Sequence, residues 1–149
     1  MRSSEPALRA VRTQVQFELA EAAALVAAAA AQTAEAFEQV STFKRHCAEA
    51  AEQLRSALAR NAINPPLLAA MRRVHRRDAQ ALQEFQSSLA AAQEREQQAR
   101  AALADVRNRE RSLDRALHAE LRKQQLEQQA REMLDVDDLW LQHARRELP

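Results

Sequence analysis

Apolar and small residues recur along this chain at alternating steps of three and four. Over the N-terminal third, a first series reads Leu19, Val26, Thr33, Val40, Cys47, Leu54. Its companion reads Leu8, Val15, Ala22, Ala29, Ala36, Phe43, Ala50, Ala57. Over the remainder the two series are Leu68, His75, Leu82, Leu89, Glu96, Leu103, Glu110, Leu117 and Met71, Asp78, Phe85, Ala92, Ala99, Val106, Leu113. A three-four spacing held for this many turns defines a coiled-coil seam. Polar members such as Glu96, Glu110 and Arg12 weaken the seam and help to set its register, and Arg12 and Glu110, in adjacent layers, are placed to pair.

The pattern is interrupted at Asn64-Pro65-Pro66. Proline has no N–H and disfavours a helical residue before it, so it breaks a helix interior, yet it suits a first helical position behind an Asn cap. The start repeats that grammar with Ser4, Glu5 and Pro6. The expectation is one all-α domain over residues 1–149, with helix 1 at about 5–60, a turn at 61–64 and helix 2 at about 65–146. Folding back about residues 62–63 makes an antiparallel coiled-coil hairpin. It sets Phe43 against Leu82, Ala36 against Leu89, Val26 against Ala99, Ala22 against Leu103, Leu19 against Val106 and Leu8 against Leu117, so that small residues repeatedly oppose large ones.

The two helices are unequal. At ~1.5 Å per residue they extend ~84 and ~123 Å, which leaves about 25 residues of helix 2 overhanging at its C-terminal end. The seam agrees, because its continuation past Leu117 is Glu120, Gln124, Glu127 and Arg131. Beyond lies a different stripe, with Leu126, Ala130, Met133, Leu134, Trp140, Leu141, Ala144 and Leu148 on one helix face, interrupted by Asp137. An amphipathic face without an intramolecular partner docks on another protein or on a copy of itself, which makes the single tryptophan, Trp140, an interface anchor.

Composition sharpens this. There is no glycine, and aromatics are 3% of the chain, so sheet is not expected. Lys and Arg total 22 against 21 Asp and Glu, a balance that argues against a general nucleic-acid or membrane binder. One cysteine, Cys47, permits no internal disulfide and reads as a small seam residue. The run at 22–31 follows acidic residues and is mostly alanine, unlike a signal segment, so an intracellular, soluble protein is expected. No phosphate loop, metal motif or nucleophile setting is present, and His75 with Asp78 alone makes a poor metal site. The chain is therefore read as a non-enzyme without cofactor or metal. Charge is unevenly placed. Residues 44–80 carry eight Lys/Arg against Glu49, Glu52 and Asp78, most densely at Arg72, Arg73, Arg76 and Arg77. Residues 132–149 carry Glu132, Asp135, Asp137, Asp138 and Glu147 against Arg145 and Arg146. The basic run is either a solvated face paired to Glu49 and Glu52 or a surface for an acidic partner.

Two helices folded at an early turn, with Leu134-Asp135-Val136-Asp137-Asp138-Leu139 followed by Gln142 and Arg145-Arg146 near the carboxyl end, resemble the FliJ/YscO family. These are stalk proteins of flagellar and virulence-type III secretion export apparatuses. The architecture spans the chain, whereas the motif spans about a dozen residues. The resemblance implies a cytoplasmic protein peripherally associated with an inner-membrane secretion apparatus. Its open end enters the hexameric export ATPase, its turn end reaches the export gate, and export chaperones are further partners; direct membrane insertion and nucleic acid are not implied. It puts Arg9, Arg12, Leu134, Trp140, Leu141, Arg145 and Arg146 at the ATPase and Arg72, Arg73, Arg76 and Arg77 at the gate. The chain has no Tyr, and Phe43 and Phe85 belong to the seam, so an aromatic gate contact is not expected. Two other readings stay open: a self-associating scaffold coiled coil in which the overhang dimerises, and a lipid- or polymer-surface helix, which needs a more apolar face than this one.

Overall fold

The computed structural model describes residues 5–61 and 64–146, so Ser4, Leu148 and some of the expected turn lie outside the described residues. It holds two helices and, among those residues, no strand: α1, Glu5–Ala59, and α2, Pro65–Arg146. Alanine, leucine, glutamine and arginine, all good helix formers, fill both interiors, and neither carries a glycine.

The ends are set by local chemistry. Asn64 caps α2: its Oδ1 accepts from the Leu67 N–H at 3.0 Å, and its carbonyl accepts the first helical bond from Leu68 at 3.0 Å. Pro65, lacking a donor, loses nothing at this position. At the other boundary α1 stops at Ala59, and Asn61 takes φ 49°, the left-handed conformation that closes a helix. In a chain without glycine, asparagine is the residue that enters this region at least cost. Its N–H donates to the Leu58 carbonyl at 3.1 Å, satisfying one of the last free acceptors of α1.

The chain packs as two compact units. One, Glu21–Leu103, is a helical hairpin made from the later portion of α1 and the earlier portion of α2. Ala22, Val40, Ala92 and Leu103 are buried in it, and the Phe43 and Phe85 rings meet at 5.2 Å. Phe43 thus reaches Phe85, one turn beyond the Leu82 expected opposite it. The other unit joins Met1–Ala20 to Ala104–Pro149. Here Val15, Val106 and Leu117 are buried, Glu18 pairs with Arg109 at 2.7 Å, and Arg12 pairs with Asp114 at 3.0 Å.

Every position of the four seam series, from Leu8 to Leu117, is buried or half-buried, with one exception. That exception is His75, which is exposed, so of the seam positions His75 and Asp78 only Asp78 is half-buried. Arg12 also chooses differently from the expectation: its carboxylate is Asp114 and not Glu110. Asp114 flanks the seam instead of occupying it, which lets the pair form while about two fifths of each side chain stays in solvent. The contacting Nε and Oδ1 are themselves shielded and have no aligned hydrogen bond, so the contact is electrostatic. Partial exposure keeps such a pair to about 1 kcal/mol or less.

Candidate functional site

The sequence-derived site residues fall into two sets, each within one unit. In the Glu21–Leu103 hairpin, Arg72, Arg73, Arg76 and Arg77 lie on the third and fourth turns of α2 and are all exposed. None has an ion pair among the described residues; Glu52, a partner considered for them, is held by Arg55 at 3.0 Å on its own helix. Their charges are therefore free to act on something outside the chain. Beside them runs a shallow groove lined by Ala50, Leu54, Leu67, Met71 and Val74, in which Leu67 and Val74 are largely exposed. Seam periodicity marks Ala50, Leu54 and Met71 but not Leu67 and Val74, which stand one position outside the series. Their apolar character next to an unpaired basic run was the available signal.

At the base of the groove, Asp78 is half-buried and approaches His46 Nε2 at 3.9 Å. Cys47 lies nearby as a free, half-buried thiol. Burial pushes its ionisation above the ordinary 9.0, and the Asp78 carboxylate adds to that by opposing a second negative charge. A thiol kept protonated is the weaker nucleophile. No group of three or more His, Cys, Asp or Glu is placed to hold a metal among the described residues.

In the other unit, Arg9 is engaged by Glu5 one turn earlier and Arg12 by Asp114. Neither arginine is a free cation. The late stretch of α2 is different. Leu121 and Gln124 are half-buried, and from there every residue over 125–143 is exposed. That stretch includes Leu126, Met133, Leu134, Val136, Leu139, Leu141 and Trp140, whose side chain is 73% exposed. Helix geometry alone leaves these residues in solvent, since 82 residues of continuous backbone hydrogen bonding need no tertiary partner at this end. The acids Glu132, Asp135, Asp137 and Asp138 are exposed among them, and Arg145 and Arg146 follow in the last turn, where cations complement the helix dipole.

Val136 and Leu139 enlarge the surface beyond the stripe seen in the sequence. They line one groove with Trp140, His143 and Ala144, and Val136 joins Met133 and Asp137 in a second. The apolar arc is wider than a single stripe, and acids interrupt it. Such a surface suits a partner offering both apolar pockets and cations. It is too divided by charge to bury in lipid, and no helix of the described residues is long and apolar enough to cross a membrane. No protein-family model, curated protein or solved structure matches the chain.

Proposed function

We propose that this protein is a non-enzymatic, cytoplasmic stalk component of a bacterial type III secretion export apparatus, binding a hexameric export ATPase and linking it to the export gate and chaperones. In this reading the two helices form an antiparallel coiled coil, and α2 overhangs α1 at its C-terminal end. The observation that carries the reading is the exposed apolar and acidic surface over 126–143, centred on Trp140, on a helix stretch with no intramolecular cover. The order of contacts supports the antiparallel arrangement in each unit. Arg12 meets Asp114 while the later Glu18 meets the earlier Arg109, and Phe43 meets Phe85 while His46 meets Asp78.

The mechanism would use binding alone. Leu134, Trp140 and Leu141 would enter apolar pockets of the ATPase pore, each buried large side chain contributing ~1.5–3 kcal/mol. Arg145 and Arg146 would select acidic loops there. Arg9 and Arg12, already paired, would contribute only by exchanging partners, so they rank below Trp140 as contacts. At the turn end the unpaired Arg72, Arg73, Arg76 and Arg77 would dock an acidic face of the gate protein. Asymmetric insertion of a single helix pair into a sixfold ring can couple ring states by contacting one interface at a time.

The test is a titration of the purified chain into type III secretion ATPases, following Trp140 emission and ATP turnover together. A blue shift with increased turnover is expected, and both should vanish in the Leu134→Asp/Leu141→Asp variant. If neither signal changes across a set of such ATPases, the stalk reading is wrong.

A further inference from the structure

The basic run near the start of α2 is not required by the fold. At 100° per residue, Arg72, Arg76, Arg73 and Arg77 span about 140° of the helix circumference, on the side turned away from the seam. All four are exposed, and none has an ion pair among the described residues. Arg72 and Arg76 stand one turn apart, as do Arg73 and Arg77, a spacing at which like charges weaken a helix. On that face of α2 the first acid is Glu84, two turns beyond Arg77. Asp78 gives no relief, since it is half-buried at the seam beside His46. The helix thus carries a repulsion that an anion from outside the chain relieves.

Shape and composition indicate the kind of anion. The four guanidinium groups project from the convex side of one helix, and none of them lines the neighbouring groove. Selective protein interfaces are anchored by side chains seated in pockets, which this convex patch does not offer. No aromatic stands among the arginines to stack on a nucleobase. A sheet of phosphates, by contrast, meets a convex patch without a cavity, and the guanidinium fork suits phosphate oxygens. Next to Arg77 around the helix, Val74 and Leu67 are 56% and 47% exposed. These apolar groups can reach the headgroup–acyl boundary while the arginine heads stay among the phosphates.

We propose that this patch binds anionic phospholipid headgroups and attaches the turn end of the hairpin to a negatively charged membrane surface. The contact is peripheral, since no helix of the described residues is long and apolar enough to cross a membrane. The whole chain carries only +1, so the attraction is confined to this end. Lipid binding goes beyond the stalk reading and requires neither the ATPase nor the gate protein, although the gate contact suggested above would draw on the same arginines.

The experiment is co-sedimentation of the full chain with sucrose-loaded vesicles. One set is pure phosphatidylcholine, and the other is phosphatidylcholine mixed with phosphatidylglycerol. The wild type is expected to pellet with the mixed vesicles alone and to be released as salt screens the exposed charges. Each basic residue near an anionic surface is worth about fivefold in partitioning, so Arg72→Gln/Arg73→Gln/Arg76→Gln/Arg77→Gln should bind several hundredfold more weakly. Glutamine keeps the helix propensity, and far-UV circular dichroism checks that helicity is equal. Arg107→Gln/Arg111→Gln/Arg115→Gln/Arg122→Gln removes the same charge elsewhere on α2 and should bind almost as the wild type does. A wild type that ignores the mixed vesicles, or two variants that lose binding equally, overturns the proposal. Preference for polyglutamate or polyuridylate over the vesicles at matched charge would give the patch to an acidic or nucleic-acid partner and overturn lipid as its ligand. None of these results touches the ATPase titration, which is read at Trp140.

Discussion

Leu117 and Leu134 lie in the same compact unit and on the same helix, and the structure assigns them opposite roles. Leu117 is 8% exposed and Leu134 is 64% exposed. Truncating Leu117 to alanine removes three carbons from packed surroundings. At ~0.8 kcal/mol per buried methylene the transfer loss alone is about 2 kcal/mol, and a residual cavity raises the total to about 2–4 kcal/mol. Truncating Leu134 removes carbons that mostly contact water already. Scaling by its buried third gives less than about 1 kcal/mol, and the similar helix propensities of Leu and Ala add little. Urea unfolding followed at 222 nm, at a protein concentration low enough to keep the chain monomeric, separates the two. Leu117→Ala should lower the midpoint clearly with an unchanged slope, while Leu134→Ala leaves the midpoint almost in place. Equal losses, or the larger loss at Leu134, would show that the C-terminal stripe is consumed by the fold of the monomer. It would then be unavailable for the binding roles argued above.

Four further outcomes are expected. Asn64→Ala should cost about 1 kcal/mol by removing the side-chain acceptor for the Leu67 N–H, and Asn64→Asp should restore most of it, as read in thermal unfolding. Asn61→Val should destabilise and Asn61→Gly should not, because φ 49° is costly for a β-branched residue and free for glycine. Cys47 should react slowly with iodoacetamide at neutral pH in the folded chain and quickly in urea. Its folded thiol is raised above 9.0, so the stabilisation is complete below the unfolded value and is lost as pH rises through the folded one; Cys47→Ala should flatten the fall in stability on the alkaline side. Finally, Trp140 in the dilute monomer should show the emission of a solvated indole and be readily quenched by acrylamide, and shielding under those conditions would contradict its 73% exposure.

Much of this molecule could be read before any coordinates. The absence of glycine, the alanine-rich interiors and the Asn-Pro-Pro break determine two helices and where the second begins, because helix propensity and proline sterics act over a few neighbouring residues. The three-four pattern likewise determines which residues turn inward, since helical geometry places them on one face whatever they meet. What tertiary structure decided is how individual polar side chains resolve at the edge of that face. His75 has the spacing of a seam residue yet stands in solvent, while Asp78, one turn on, is half-buried beside His46. Arg12 could reach several carboxylates on α2, and it takes Asp114, which flanks the seam, in place of Glu110 within it. Leu139 falls nearly opposite the C-terminal stripe around the helix, yet with Val136 and Trp140 it lines a common groove. Periodicity has a resolution of about a quarter turn, whereas a charged or aromatic side chain swings across several ångströms. The inward face is therefore a property of the sequence, and the partner each edge residue takes is a property of the packed pair of helices.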